Sequence, residues 1–317
     1  MIRIATIGTS RITYQFVDAM DQVPQVALAG VYSRSPETAQ KAATAFGTDV
    51  TWTDLDTMLG SDDVDAVYVA SPNGAHYEQA LRAIDAGKHV FLEKPAVPTA
   101  AEFSALLDTA AEHGVVIFEG MRNAYDPGTS ALRSLLPDLG QIRRASLAYS
   151  QRSSRYDLVL AGQSVNIFDP KLAGGALYDI GVYCVSMMVD LFGAPQSVSA
   201  AKVTVGSGVD GAGAVLARYP GMVVDLSYSK ITASDRPCEI QGELATLTFD
   251  RIAAPRELVV TYLDGKSESQ KIDLSPANMA FEIKRFAELV AGADPTPDQQ
   301  RTLHTLETID AIHAAMI

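Results

Sequence analysis

Two cysteines, Cys184 and Cys238, are all that 317 residues contain, and each lies inside an apolar segment far from the other. That provides no disulfide framework, so free, buried thiols are expected. Histidine is sparse too. His76, His89, His113, His304 and His313 show no metal-ligand spacing and no cysteine completes a set with them, so no metal is expected. Basic charge is in deficit: 25 Lys and Arg face 38 Asp and Glu, a formal net charge of -13. This argues against the broad basic footprint that nucleic acid or an anionic membrane surface would require, and leaves room only for a local basic pocket. No uncharged apolar run of about 18 residues appears. The opening Met1-Ile2-Arg3-Ile4-Ala5 passes straight into a strand pattern instead of the charged and then long apolar stretch of a signal peptide. A cytoplasmic setting is therefore expected.

What is present is globular material. An apolar content of 47% over 317 residues is too much for one ordinary core and suggests two domains sharing a cleft. The first third alternates β-branched runs with amphipathic stretches, the pattern of a doubly wound parallel α/β sheet. Strands are expected at Arg3–Ile7, Val26–Tyr32, Asp65–Ala70, His89–Leu92 and Val115–Glu119. Helices are expected near Ile12–Met20, Pro36–Phe46, Leu55–Leu59, Ala75–Ala86 and Ala100–His113, the last two closed by Gly87 and Gly114.

Past Gly120 the pattern changes to one helix, Ala176–Leu191, flanked by alternating segments. These run over Arg143–Ser150, Val198–Val205, Ala214–Tyr219, Val223–Tyr228, Ala245–Phe249, Glu257–Tyr262 and Lys271–Leu274, and read as an antiparallel sheet. Tyr219-Pro220-Gly221-Met222 marks a hairpin, since proline presets one dihedral and glycine permits the next. Helical patterns at Asn278–Ala291 and Pro297–Met316 close the sequence. The expected division is an α/β domain over residues 1–120 and an α+β domain over residues 121–317.

Between the first strand and first helix lies Ile7-Gly8-Thr9-Ser10-Arg11-Ile12, where a dinucleotide fold turns its backbone N–H groups toward a pyrophosphate. Gly8 is the first of the usual three glycines, while Ser10 and Thr13 occupy the positions of the other two. Small hydroxyl side chains still admit the phosphates and can donate to them; an ordinary turn capped by Thr9 or Ser10 is the alternative. The second strand ends Val31-Tyr32-Ser33-Arg34-Ser35. An acid that would bind the ribose 2′-hydroxyl of NAD is missing there, whereas Ser33 and Arg34 suit a 2′-phosphate, so NADP is favoured with NAD as the alternative.

Two longer motifs are more specific. One runs Ala70-Ser71-Pro72-Asn73-Gly74-Ala75-His76-Tyr77 and continues through Ala86-Gly87-Lys88-His89 to Glu93-Lys94-Pro95; the other is Gly174-Gly175-Ala176-Leu177-Tyr178-Asp179-Ile180-Gly181-Val182-Tyr183. With these the sequence resembles the Gfo/Idh/MocA oxidoreductase family over nearly its whole length. The resemblance implies an N-terminal Rossmann domain followed by an α+β domain with a large, mostly antiparallel open sheet. It also implies that Lys94 faces the substrate and that the Lys94–Pro95 bond is cis. Where the family most often carries histidine this sequence has Tyr183, as in the branch of glucose-fructose oxidoreductase and dihydrodiol dehydrogenase, where tyrosine is the proposed acid/base. One face of the open sheet is implied to pack against a second subunit, giving a homodimer or a tetramer.

The chemistry follows without the family. Alcohol oxidation needs hydride departure to a nicotinamide and a base within reach of the hydroxyl proton. Tyr183 as proton donor and acceptor, with Lys94 as its charged neighbour and substrate anchor, is a coherent pair, and the reversed assignment is the alternative. Asp179 shares a helical face with Tyr183 and can bind a substrate hydroxyl or orient Lys94; a structural carboxylate is the other reading. Ser71, Pro72 and Asn73 fall at the ribose region, as does His76 unless it serves in helix packing. Glu93 is expected to contact the nicotinamide ribose or pair with Lys94. Arg122 or Asn123 is expected near nicotinamide or substrate, and Gln151–Asp157 with Asn166 either line a sugar site or form a solvated loop. The expected activity is a dehydrogenase or reductase acting on a sugar, inositol or cyclic diol; a nicotinamide-dependent glycosidase and a non-catalytic NADP-sensing regulator are its rivals.

Overall fold

A computed structural model describes residues 1–273 and 277–316. Backbone contacts divide the chain into two compact units, Met1–Gly120 with Ser275–Gln300, and Met121–Leu274 with Arg301–Ile317.

In the first unit six strands order β3-β2-β1-β4-β5-β6, all parallel. They are β1 (Ile2–Ile7), β2 (Val26–Tyr32), β3 (Thr51–Trp52), β4 (Ala66–Val69), β5 (His89–Glu93) and β6 (Ile117–Gly120). Between them run α1 (Arg11–Met20), α2 (Pro36–Phe46), α3 (Leu55–Leu59), α4 (His76–Asp85) and α5 (Ala100–His113). This is the doubly wound Rossmann order. Both faces of such a sheet are covered, which is why every residue of β4 and β6 is buried.

The helices start and stop where their end groups can be satisfied. Ser35 accepts from the Thr38 N–H ahead of α2, and Thr99 with Glu102 forms a reciprocal capping box on α5. Gly114 ends α5 at φ 66°, and Gly87 at φ 71° follows α4. An aromatic cluster fills the core. The Phe16 and Tyr68 rings stack at 3.6 Å, and Phe91 meets both edge-on and reaches Phe118 and Phe286. Phe286 arrives late in the chain, on α10 (Met279–Val290), which packs against α1 and β6.

The second unit is built on an eight-stranded sheet ordered β14-β13-β12-β11-β7-β10-β9-β8. Its strands are β7 (Ile142–Ser150), β8 (Ser197–Thr204), β9 (Asp210–Tyr219), β10 (Met222–Ser229), β11 (Cys238–Gly242), β12 (Ala245–Phe249), β13 (Glu257–Tyr262) and β14 (Ser267–Lys271). All neighbours are antiparallel except β7 and β10. The helices of this part are α6 (Arg122–Tyr125), α7 (Pro127–Leu135), α8 (Tyr156–Leu160), α9 (Val182–Phe192) and α11 (Thr296–Ala315), which enters it at Arg301. Eight consecutive residues of α9, Val182 to Val189, are buried, and the helix packs on β7 and β10. Pro170–Phe192 is long and apolar enough to cross a membrane by composition, but its most apolar stretch is 72% buried within the protein, as in a core helix.

The expected hairpin at Pro220-Gly221 is present, pairing Met222 with Tyr219 around Gly221 at φ 72°. Other expectations need correction. The strand expected over Lys271–Leu274 is instead β14, Ser267–Lys271, a wholly exposed edge with no apolar residue to give it a periodic signal; Leu274 lies outside the described residues. The strands β3 and β11 and the helices α6 to α8 were not foreseen: β3 spans only two residues, too few for any pattern. The expected helix Ala176–Leu191 is a π-helical turn, Leu177–Gly181, running into α9.

Phe91 is 0% exposed and touches four other rings. Phe91→Ala should cost about 3–5 kcal/mol, read from the urea midpoint by far-UV circular dichroism; a loss under about 1 kcal/mol would mean that the cluster closes over the gap.

Candidate functional site

The strand β1 delivers the chain into a turn at Gly8, whose φ is +116°. A Cβ there would come 2.5 Å from the Ala70 carbonyl oxygen, so only glycine lets this turn lie against the end of β4. Thr9 and Ile12 are half-buried, while Ser10 and Arg11 are exposed. Ser10 is the N-cap of α1 but its side chain makes no capping bond, which leaves the head of the helix to an outside acceptor. Thr13, at the third glycine's position, is fully buried. After β2, the Ser33 N–H bonds to the Trp52 carbonyl at 3.1 Å, and its Oγ accepts from Ser35 N–H at 3.4 Å. Arg34 is exposed.

The turn after β4 is organised by its own side chains. Ser71 Oγ donates to Gln79 Oε1 at 2.7 Å, and half-buried Pro72 and Asn73 lead into a 3-10 turn, Asn73–Ala75. His76 then begins α4, 1% exposed. Its Nε2 lies 2.9 Å from the Ser71 carbonyl, and its Nδ1 lies 3.1 and 3.2 Å from the carbonyls of Pro95 and Ala96. A neutral imidazole carries one N–H, so His76 donates either to the Ser71 carbonyl or to the Pro95 and Ala96 carbonyls, and packs between the turn after β4 and the segment after β5.

That segment carries Lys94. The Lys94–Pro95 peptide bond is cis, and the backbone around it is held from three sides. Glu93 Oε2 accepts from Lys94 N–H at 3.2 Å, while its Oε1 accepts from the Tyr68 hydroxyl at 2.7 Å. Glu119, on β6, accepts from Ala96 N–H at 2.9 Å. Lys94 itself is half-buried amid buried neighbours. Glu93 thus holds the lysine by its backbone.

In the second unit Tyr183 is 5% exposed, its ring edge-on to Tyr149 at 5.8 Å. Asn123 Nδ2 donates to the Tyr183 carbonyl at 3.2 Å, anchoring α9 from α6, where half-buried Arg122 also lies. Asp179 sits in the π-helical turn, with Oδ2 2.6 Å from Lys230 Nζ. The start of that turn is capped by Asp210, which accepts from Leu177 N–H at 2.8 Å. The cap requires Gly175 at φ 130°, because a Cβ there would overlap Asp210 Oδ1. Burial pushes the Asp210 carboxyl above its ordinary range, against the pull of the backbone N–H bonds it accepts.

The run Gln151–Asp157 is mostly exposed, with Arg152 paired to Asp157 at 2.7 Å and lying over the Tyr156 ring. Its one buried member, Ser153, donates its N–H to the Lys230 carbonyl at 2.8 Å. Asn166 is exposed. Both cysteines are free and buried. Among the described residues no group of three or more His, Cys, Asp or Glu is placed to hold a metal ion.

Lys230, Asp210 and Glu119 were missed by sequence reasoning. Glu119 ends an expected strand and looks like an edge residue, and Asp210 reads as part of a turn. Lys230 carried one signal: it is a charged residue directly after an alternating strand.

A family model described as an oxidoreductase family with an NAD-binding Rossmann fold, GFO_IDH_MocA, matches residues 2–121. A second, the GFO/IDH/MocA C-terminal domain, matches residues 136–248. The chain is 41% identical over 291 residues to the scyllo-inositol 2-dehydrogenase (NADP(+)) IolU of Bacillus subtilis, a match covering 92% of this chain and 88% of that protein. Over 267 residues it is 27% identical to the trans-1,2-dihydrobenzene-1,2-diol dehydrogenase of Mus musculus, covering 82% and 78%. KijD10, a 3-ketoreductase from Actinomadura kijaniata solved with NADP and TDP-benzene, superposes with a TM-score of 0.90 over 99% of this chain and 98% of that one. At 24% identity that likeness is one of fold.

The carbonyl contacts of His76 have a pH consequence. Burial, the largest influence, holds its imidazole below the ordinary 6.5 despite the carbonyls around it. The unfolded chain then takes up the proton first, so the stability is present above about pH 6.5 and is lost as pH falls through the folded value. His76→Gln should make the acid limb of the stability profile shallower by up to about 1.4 kcal/mol per pH unit. Urea midpoints between pH 5 and 7 read this directly, and parallel limbs for variant and parent would refute it.

Proposed function

The chain belongs to the Gfo/Idh/MocA oxidoreductase family, and we propose that it moves a hydride between NADP and a CH–OH or carbonyl carbon of a sugar, an inositol or a cyclic diol. One sheet edge carries this reading. The Gly8 turn after β1, Ser33 and Arg34 after β2, Ser71 to Asn73 after β4, and Lys94 after β5 all follow the C-terminal ends of parallel strands, the edge at which open α/β sheets take ligands.

The donors along that edge fit a phosphorylated dinucleotide. Ser10 leaves the head of α1 without a side-chain cap, and the chain after β2 offers Ser33 and exposed Arg34 with no carboxylate before Glu37. On this reading Gly8, Thr9, Ser10, Arg11 and Ile12 meet the pyrophosphate, Ser33 and Arg34 the 2′-phosphate, and Ser71, Pro72, Asn73 and Glu93 the nicotinamide ribose region. His76 supports that region, and Arg122 is assigned to the cofactor as well. A bound nicotinamide supplies or takes up the hydride. The chain's own residues do the rest: the Tyr183 hydroxyl moves the proton at the substrate oxygen, Lys94 anchors that oxygen, and Asp179 accepts from a neighbouring hydroxyl. The Bacillus relative is named for scyllo-inositol and NADP(+), the mouse relative for a cyclic diol, and both names support the substrate class. Residues 1–120 form the cofactor domain in this account and residues 121–317 the substrate domain, apart from α10, which packs within the first unit, in a cytoplasmic enzyme.

A homodimer belongs to the same proposal. Val203, Leu216 and Val223 are 55%, 52% and 40% exposed on the adjacent strands β8, β9 and β10, and the strand registers put all three on one face. Exposed apolar side chains on one face of an open sheet favour a cover. Sedimentation should give the mass of a dimer or tetramer, and monomer alone at micromolar concentration removes this part of the proposal.

The central test is a screen of aldoses, inositols and cyclic diols with NADP+ and NAD+ in parallel. NADPH should accumulate with at least one of them, and faster than NADH. Tyr183→Phe should lower kcat by roughly 10²–10⁴-fold while NADPH affinity stays unchanged. Tight NADPH binding without turnover of any compound would turn the assignment toward a sensor.

A further inference from the structure

Arg256 stands outside the account so far. It directly precedes β13, and Asp250 Oδ1 accepts from its N–H at 2.8 Å and from that of Glu257 at 3.1 Å, which fixes the start of the strand. Its guanidinium runs to the corner between α6 and α7, where Nη1 donates to Asp126 Oδ1 at 2.6 Å and Nη2 to Asp126 Oδ2 at 2.7 Å. The pair lies inside the protein: Asp126 keeps 1% of its side chain exposed and Arg256 keeps 11%. Asp126 Oδ1 also accepts from Gly128 N–H at 2.8 Å, capping α7. The Pro255 backbone lies so close to that first turn that a Cβ on Gly128 would overlap the Pro255 carbonyl oxygen.

Net stability is a poor reason for such a pair, because withdrawing two charges from water costs about as much as their attraction returns, and apolar residues of like size often serve as well. A two-pronged guanidinium–carboxylate contact gives something else, a fixed distance and a fixed orientation. What it fixes is α6. A helix of four residues has a single turn and cannot hold its own shape, so its geometry comes from the contacts around it. Arg256 grips Asp126 just past the end of α6. Arg301 donates to the hydroxyl of Tyr125, the last residue of α6, with its guanidinium 4.9 Å from the centre of the ring. Within the same turn sits Asn123, 1% exposed, whose Nδ2 donates to the Tyr183 carbonyl at 3.2 Å. Tyr183 is the second residue of α9. A shift of α6 therefore passes through one hydrogen bond to the backbone that carries the Tyr183 hydroxyl.

We propose that Arg256 is a positioning residue: by locking Asp126 it holds α6, and through Asn123 it sets where the Tyr183 hydroxyl stands for proton transfer. The inference rests on the hydride-transfer reading above, in which Tyr183 moves the proton, and deepens it. The role needs no contact of Arg256 with substrate or cofactor. Its effect falls on the geometry of one step, and is felt only while Tyr183 has its hydroxyl.

The test is a double-mutant cycle on the single-turnover rate of NADPH formation, with NADP+ and whichever sugar, inositol or cyclic diol the parent oxidises fastest. It compares the parent, R256M, Y183F and the two substitutions together. R256M should lose roughly ten- to hundredfold in rate, the scale of a displacement of about 1 Å, while KM for the substrate changes by less than about threefold. In the Y183F background the same substitution should cost under about twofold, since the group it positions is gone. A merely structural loss would lower the rate by the same factor in both backgrounds. Folding is judged by thermal midpoint and NADPH binding. Should R256M not fold, R256K, which keeps the charge and loses the fork, replaces it in the cycle with the same expectations. Equal losses in the two backgrounds, or a rate unchanged by the substitution, overturn the positioning role and leave hydride transfer standing. A parent that oxidises no sugar, inositol or cyclic diol overturns the underlying reading, and the inference falls with it.

Discussion

A buried imidazole set among backbone carbonyls is the constraint on which the first unit's chemistry depends. A lysine has a long, flexible stem, and its ammonium can be aimed only if the backbone beneath it does not move. His76 fills the space between Ser71 and the Pro95–Ala96 segment and donates its one N–H to one side, while Glu93 and Glu119 hold the N–H groups of Lys94 and Ala96. Three side chains from α4, β5 and β6 thus converge on one short segment. The two carboxylates turn buried polar groups toward the main chain, where an unmet donor or acceptor is costly.

The second unit fixes its side chains by a different device. Its central helix is buried almost all round, so the polar residues of its first turns depend on how the helix begins. Asp210 caps that beginning, Gly175 makes the close approach possible, and the π-helical turn sets where Asp179 emerges ahead of Tyr183. Asn123 then holds the Tyr183 backbone from α6. Neither Asp210 nor Gly175 carries chemistry itself, and both decide where the chemical groups stand.

Much of this was legible in the sequence because it is local. The alternation of β-branched runs with amphipathic stretches specified the parallel sheet, with strand ends within a few residues. The stretch from Ser71 through Lys94-Pro95 and the stretch from Gly174 to Tyr183 carry their residues in continuous motifs. What stayed hidden is whatever depends on partners distant in sequence. Lys230 meets Asp179 only because β10 ends beside the π-helical turn, and nothing in the sequence around Lys230 encodes that meeting. The same holds for Glu119, whose carboxylate reaches Ala96 across the pairing of β5 with β6. The strand β14 was misplaced for the opposite reason: an exposed edge strand of Ser267 to Lys271 buries nothing, so no periodicity marks it.

The position of α10 has a consequence for the order in which the protein is made. Phe286 belongs to the aromatic cluster of the first unit, and its helix lies on α1 and β6, yet it is synthesised after every strand of both sheets. A ribosome that has released residues 1–120 has delivered all six parallel strands but not the helix that covers α1. Through the synthesis of the entire second sheet, the nascent first unit therefore exposes an apolar surface that only α10 can close, an interval in which aggregation and chaperone binding compete with folding.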